Sequence, residues 1–396
     1  MNAIRIPRVA FTFVNDGKEW HGGLNYFRSL FLALESIPEH ERRMEPVAFL
    51  GCGATPRDLS LPASLRVVQD AVFDRLSATW LLNKLATRSV GRAMLSNRVL
   101  RRHGIDVLSH SAPSGDSRLP SIGWIPDFQH LHLPQFFPEK ELESRSRLYR
   151  QMIAQSDLIV LSSESARRDF ERFAPESADK ARVLRFCAVR PALDDSIDTA
   201  ALYGLDAPYF YIPNQVWAHK NHTTVVRAFA EIAARHPAVK VVCSGSLSDY
   251  RNPGHVQALL AEIDQRGLAE RFLMLGLIPY AHIAPLMLNS VAVINPSLFE
   301  GWSTTVEEAK ALGVPLILSG IDVHREQCAA GEATFFDPLD ASALGDRMES
   351  ALSTMVGAGS RDPRVALERH RQRSLEFART YERIVDGLLA QSRHDD

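Results

Sequence analysis

A chain of 396 residues, 45% hydrophobic and 23% charged, is too long for one ordinary core and too apolar for disorder, so two domains are expected. Its formal net charge of -2 provides no overall field to gather nucleic acid, so any polyanion must be met by a local patch. Cys52, Cys187, Cys243 and Cys328 lie far apart without CxxC spacing, which argues against a disulfide framework or a zinc knuckle and fits a reduced compartment. The first residues lack the apolar run of a signal peptide, and no stretch approaches the roughly 20 apolar residues of a membrane span. A cytosolic protein is expected.

In chain order, short β-branched or aromatic runs alternate with amphipathic segments, the pattern of parallel sheets covered by helices on both faces. Strands are expected at Val9 to Val14, Pro46 to Leu50, Asp106 to Ser109, Ile122 to Ile125 and Leu158 to Ser162. A polar stretch without periodicity near residues 189 to 205 reads as a linker. A second series follows at Tyr209 to Ile212, Lys240 to Ser244, Phe272 to Leu275, Ala292 to Asn295 and Pro315 to Leu318. Asn221 and Ser303 stand where helices should start. The division is residues 1–195, 205–375 and a closing segment 376–396 that packs back on the first domain; the stretch Pro363 to Leu389 should form one or two helices.

The densest chemistry lies in FEGWSTTVEEAKALGVP, residues 299–315, between two apolar strands. Glu300 and Gly301 fall at a strand tip, Trp302, Ser303 and Thr304 at a helix start, and Glu308 one turn along. Both carboxylates should look into the crevice where open α/β sheets bind ligands, with the N–H groups of the helix start beside any phosphate. An ordinary capped surface helix is the plainer alternative. After the first strand of the second series, IPNQVWAHKNHTTVVRAFA places Lys220 before a helix, where it is either a cation for a departing phosphate or a solvated lysine.

These segments resemble the family-4 retaining glycosyltransferases of the GT-B fold, whose E-x7-E signature matches Glu300 and Glu308 with the downstream Ala, Gly and Pro in register. The resemblance implies two Rossmann-like domains with parallel sheets facing a central cleft. It implies that Glu300 contacts donor-sugar hydroxyls, Glu308 the ribose hydroxyls and Lys220 the diphosphate. Many members carry an Arg where this chain has Asn214, which leaves one cation fewer on the leaving group. Gly22 and Gly23, within WHGGLNY ahead of a helical run from Phe27 to Leu34, match the family's glycine-rich loop, and a GG pair lets backbone approach a phosphate closely. Where the family commonly shows His-Asp, Pro126 precedes Asp127, so Asp127 and His130 are the candidates for orienting sugar or acceptor, against simple loop bonding. Residues 162–169 match a strand-to-helix turn, and Gly245 and Leu275-Gly276 fall where the family holds the base.

The expected function is transfer of a sugar from a UDP- or GDP-type donor to a hydroxyl of a glycan or lipid-linked acceptor, plausibly in surface polysaccharide synthesis. No Asp-x-Asp stands between strands, so metal independence and no cofactor are expected. An epimerase or phosphorylase of the same fold, and a non-catalytic sugar-nucleotide binding protein, are the alternatives. A Rossmann oxidoreductase is disfavoured because no G-x-G-x-x-G follows the first strand. Between Asp74 and Asp106 there are seven basic residues and no acid, with Lys84, Arg88 and Arg92 four apart beside Trp80, Leu81 and Leu85. The segment Lys84–Arg102 therefore reads as a peripheral contact with an anionic membrane at its inner face, or as a solvated helix face.

Overall fold

The computed structural model of the protein describes residues 5–14, 21–56, 59, 61–111, 115–116, 118–194, 196–355 and 363–392. Two compact units emerge. One comprises Met1–Phe128, Glu143–Val189 and Gln372–Asp396, the other Gln129–Leu142 and Arg190–Arg371.

The first unit holds a seven-stranded sheet: β1 (Arg8–Phe13), β2 (Glu45–Leu50), β3 (Arg66–Gln69), β4 (Val107–Ser109), β5 (Ser121–Ile125), β6 (Leu158–Leu161) and β7 (Ala181–Val183), in the order β3-β2-β1-β4-β5-β6-β7. The second holds six: β8 (Tyr209–Ile212), β9 (Lys240–Cys243), β10 (Phe272–Met274), β11 (Val293–Asn295), β12 (Leu316–Ser319) and β13 (Ala333–Phe336), in the order β10-β9-β8-β11-β12-β13. Every pairing is parallel, with Ile122 opposite Leu158 in one sheet and Phe210 opposite Val241 in the other. Helices cover both faces of a parallel sheet, so the central strands must be apolar on both sides. Accordingly Leu-Ile-Val-Leu of β6 and Tyr-Phe-Tyr-Ile of β8 are buried throughout.

In each sheet the strand order reverses direction at one place, between β1 and β4 and between β8 and β11. Connections leave such a pair toward opposite faces and open a crevice at the strands' carboxyl ends. In the second unit the β8 and β11 loops are also tied to each other. The Leu298 amide donates to the His219 carbonyl at 2.8 Å. Asn221 donates its amide protons to the Pro296 carbonyl at 3.0 Å and the Pro338 carbonyl at 2.8 Å, and accepts from Thr224 Oγ1 at 2.9 Å. Asn221 sits at φ 59, in the left-handed region, which Asn tolerates better than most residues. It precedes the helix His222–Ile232 as expected but makes no cap bond, because its side chain serves as this clamp.

The ten anticipated strands are all present. The edge strands β3, β7 and β13 add to them; β3 and β7 are short and hold no fully buried residue. The stretch from Pro363 forms a single helix, Pro363–Ser392, on which Tyr381 donates to Ser109 Oγ at 2.7 Å at the end of β4.

Asn221→Ala should destabilise the second unit by roughly 3 kcal/mol, from two orphaned carbonyls and a Cβ-bearing residue of low αL preference. Asn221→Gly, which relieves only the backbone cost, should lose measurably less. Urea unfolding followed by tryptophan fluorescence checks the ranking; equal losses would contradict it.

Candidate active site

Lys220 ends the single turn Ala218–Lys220 after β8, and Glu300 lies five residues beyond the end of β11. Because their loops are tied at Leu298 and Asn221, the two side chains meet: Lys220 Nζ is 2.6 Å from Glu300 Oε1. Ser297 Oγ approaches the same oxygen at 2.7 Å and Asn295 Nδ2 at 3.5 Å. All protein donors thus converge on Oε1, and among the described residues Oε2 has no protein partner. Lys220 likewise spends one bond on protein and keeps two N–H donors.

Asn295, the last residue of β11, organises the neighbourhood. Its Nδ2 donates to Ser303 Oγ at 2.8 Å, and its Oδ1 accepts from Ser297 Oγ at 2.7 Å and from Asn214 Nδ2 at 3.3 Å. The single Ser297 proton is therefore shared between Asn295 and Glu300. Ser303 caps the helix Thr304–Leu312 by accepting from the Val306 amide. Gln327 holds the Ser303 backbone from the other side, accepting from its N–H at 3.2 Å and donating to its carbonyl at 2.8 Å. Ser303 is thus bonded at its N–H, its carbonyl and its hydroxyl: it fixes the helix start, while Gly301, Trp302 and Thr304 around it are half-buried.

Glu308 lies one turn into that helix, buried, and accepts from Tyr280 OH at 2.8 Å. The two glutamates respond to burial in opposite ways. For Glu308 burial dominates and pushes the carboxyl up to about 7, against the Tyr280 bond. For Glu300 burial also raises, but the Lys220 ammonium, with the Ser297 bond, outweighs it and holds the group at about 2. The difference is the partner, a cation in one case and a phenol in the other. Close by, His324 is fully buried, its Nδ1 2.9 Å from the Ser319 carbonyl, and burial holds its pKa at about 4 despite the attraction of Glu300.

Asn214 is not a free polar group beside a phosphate site. Its amide donates to Asn295 and its carbonyl oxygen accepts from Thr305 Oγ1 at 3.0 Å, so it cross-links the ends of β8 and β11 to the helix. Arg251, the arginine near His219, is committed elsewhere: Nη2 is 2.9 Å from Glu141 and the guanidinium lies 4.1 Å from the Phe137 ring centroid. Gly245 has a backbone reason to be glycine. At φ 143, a Cβ there would lie 2.5 Å from the Asn214 carbonyl oxygen, so the loops after β8 and β9 pack main chain to main chain. Gly276, whose carbonyl accepts from the Gly245 amide at 2.8 Å, continues that packing.

The remaining candidates fall on other elements. Asp127 lies in the first unit, 3.7 Å from Arg145. His130 is buried on the short helix Gln129–His132 of the second unit, where the neighbouring His132 ring lies 5.1 Å from Phe299, next to Glu300. Gly22 and Gly23 follow β1 at the first unit's reversal of strand order, but they belong to the first turn of the helix His21–Glu35 rather than to a loop. Helix periodicity in LNYFRSLFLALE extends back through them, and glycine at a helix's first turn removes no side-chain packing. Trp20 and the residues just before it lie outside the described residues.

The second unit carries the Lys220–Glu300 pair and the Ser303-capped helix with Glu308, on a parallel sheet of six strands. Residues 203–360 match the family model of the glycosyl transferases group 1. The matched region contains Lys220, Glu300 and Glu308 together. No curated protein matches the chain. Among solved structures, HepE of Anabaena in complex with UDP and glucose is similar over 96% of this chain and 100% of its own, at 15% identity and TM-score 0.67. Sucrose-phosphate synthase of Thermosynechococcus elongatus is similar over 97% and 100%, at 15% identity and TM-score 0.64. The lipopolysaccharide outer core galactosyltransferase WaaB in its apo form is similar over 96% and 99%, at 13% identity and TM-score 0.57. At these identities the likeness establishes the fold, GT-B, with its two parallel-sheet α/β domains.

Sequence reasoning reached Glu300, Glu308 and Lys220 but not Asn295, Ser297, Gln327 or Tyr280. For Asn295 and Ser297 a signal exists: the apolar run Val-Ala-Val-Ile ends abruptly in Asn-Pro-Ser. Gln327, at the end of the helix Asp322–Gln327, and Tyr280, at the start of the single turn Tyr280–His282, come from other elements and carry no local mark.

Lys220→Met should cost about 3 kcal/mol at pH 7, because it leaves a buried carboxylate uncompensated, and adding Glu300→Gln should recover most of it. Glu300 sits below its ordinary 4.5 in the folded state, so its contribution is present above pH 4.5 and fades as pH falls toward 2. The gap between wild type and Lys220→Met should close over that window in acid unfolding. A pH-independent gap would contradict the pairing.

Proposed function

We propose that the chain is a family-4 retaining glycosyltransferase that moves a sugar from a nucleotide diphosphate donor, of UDP or GDP type, to a hydroxyl of a glycan or lipid-linked acceptor. The observation that carries the proposal is the Lys220–Glu300 pair at the reversal of strand order in a group 1 domain. Among the described residues that pair offers a cation with two spare donors and a carboxylate with one oxygen that accepts no bond, side by side at 2.6 Å. A sugar diphosphate needs both: donors for phosphate oxygens, and an acceptor for paired sugar hydroxyls. Glu308, buried beside Tyr280, supplies a second acceptor suited to the ribose hydroxyls. Gly22, Gly23, Gly245, Gly301, Trp302, Ser303 and Thr304 are assigned to shaping or lining the donor site, with Asn214 holding β8 and β11 in place.

In the reaction the bond from the anomeric carbon to the phosphate oxygen breaks and its electron pair leaves with the diphosphate. The acceptor oxygen bonds to the same carbon on the same face, retaining configuration, and its proton passes to the departing phosphate oxygen. Lys220 stabilises the charge growing on the diphosphate through hydrogen bonds and Coulomb attraction. A diphosphate leaves readily, so a strong general acid is unnecessary. Asp127 and His130 are assigned to sugar or acceptor orientation. Metal independence rests on the absence of Asp-x-Asp in the sequence, and activity is expected to persist in EDTA. The setting is cytoplasmic, at the inner membrane face, in surface polysaccharide synthesis; a UDP-type donor is in keeping with HepE in complex with UDP-glucose, and the polysaccharide role with WaaB, a lipopolysaccharide outer core galactosyltransferase.

Incubation with a panel of UDP- and GDP-sugars and product NMR tests the assignment. A transferred sugar of unchanged anomeric configuration is expected, with Glu300→Ala and Lys220→Ala each losing at least about a hundredfold in kcat/KM, roughly 3 kcal/mol of transition-state stabilisation. An epimerised free sugar, or binding without turnover in every donor, would contradict it.

The position of Glu308 sets a pH dependence. Ribose hydroxyls donate to the ionised carboxylate, so binding favours that form and should strengthen as pH rises through about 7, the value to which burial lifts this group. Nucleotide affinity measured by calorimetry from pH 6 to 8 should rise in the wild type and be flat in Glu308→Gln. A flat wild-type profile would remove Glu308 from the site.

A further inference from the structure

The helix Ala78–Val90 in the first unit turns its leucines outward. It starts at a Ser77 cap, ends at a left-handed Gly91, and contains no buried residue. Its less exposed side carries Trp80, Asn83, Ala86 and Thr87, all half-buried; Asn83 Oδ1 accepts from the amides of Leu95 and Ser96 at 3.0 and 3.3 Å, bracing the next helix, Met94–Arg102. Its apolar side faces out. Leu81, Leu82 and Leu85 are 45%, 59% and 60% exposed, and Val90 and Met94 at the turn are 62% and 56% exposed. At 100° per residue Leu81, Leu82 and Leu85 share one face, with Lys84 and Arg88 along one flank. Arg92, expected on the same stripe, lies past Gly91 and begins the turn. Lys84 Nζ rests 4.5 Å from the Trp80 ring centroid. From Arg75 to Arg102 seven cations occur without one acid.

We propose that the two helices Ala78–Val90 and Met94–Arg102 dock on an anionic lipid bilayer, with Leu81, Leu82, Leu85 and Met94 entering the headgroup boundary and Lys84, Arg88, Arg92 and Arg98 meeting lipid phosphates. Outward leucines gain from an apolar phase, which nucleic acid does not offer, while the flanking cations gain from negative headgroups. A second copy of the chain is disfavoured, because a symmetric contact would set the same cations against themselves. The proposal deepens the reading of a lipid-linked acceptor at the membrane's inner face, but its test needs neither donor nor turnover, so either can fail without the other.

Co-sedimentation of the full chain with vesicles of phosphatidylcholine alone and of equimolar phosphatidylcholine and phosphatidylglycerol provides the measurement. Binding is expected only to the mixed vesicles and should weaken with salt. Leu82→Asp with Leu85→Asp, and separately Lys84→Glu with Arg88→Glu, should each reduce it at least about tenfold. All four side chains are exposed, so unchanged circular dichroism and melting are expected and keep the comparison clean. Wild-type protein left in the supernatant with mixed vesicles, or variants that bind like wild type, would overturn the proposal. So would a lipid-free dimer in sedimentation velocity that the leucine variant abolishes.

Discussion

The structure of the candidate site depends on one interaction, the ion pair between Lys220 and Glu300 at 2.6 Å. Two opposite charges taken out of water regain through mutual attraction roughly what desolvation costs, so such a pair is a poor device for stability alone. Its value lies in what it holds ready. One carboxylate oxygen and two ammonium protons are held in place without partners among the described residues, and a ligand carrying both phosphate and hydroxyl groups can engage them without either charge having to be brought in from solvent.

The rest of the second unit supports that pair in successive layers. The strand order places the tips of β8 and β11 side by side, the one arrangement in this sheet that opens a crevice. Asn221 and the Leu298–His219 bond tie the two loops, so the charged residues have little freedom to part. Asn295 then links the pair to the helix that carries Glu308, through Ser303, and to Asn214 on the opposite strand. Polar networks of this kind are favourable only when nearly every member is satisfied. Among the described residues the atoms left over are those of Glu300 and Lys220 together with the buried Nε2 of His324 beside them.

Much of this was legible from residues because the physics is local. A run such as Tyr-Phe-Tyr-Ile has few alternatives to a buried parallel strand, and Ser303 before Thr-Thr-Val-Glu is a helix start by its hydroxyl alone. Glu300 and Glu308 were readable because strand tip, cap and helix follow one another in sequence. What was not legible depends on distant partners. β3 and β13 are recognisable only once β2 and β12 stand beside them. Asn214, which by position invited comparison with a missing cation, turns out to be a cross-link, because Asn295 and Thr305 are 81 and 91 residues away. Gly22 and Gly23 look like loop residues in isolation, yet the helix His21–Glu35 absorbs them since nothing in its first turn opposes it. The opposite shifts of two glutamates eight residues apart could not be foreseen at all, because they follow from burial without a cation at Glu308 and from Lys220 beside Glu300.

The most direct measurement is a crystal structure of the chain soaked with a nucleotide sugar that stabilises it in a thermal-shift screen. Diphosphate oxygens should lie within hydrogen-bonding distance of Lys220 Nζ and sugar hydroxyls on Glu300, with Glu308 on the ribose. A donor bound elsewhere, with the Lys220–Glu300 pair undisturbed and facing no ligand atom, would contradict it.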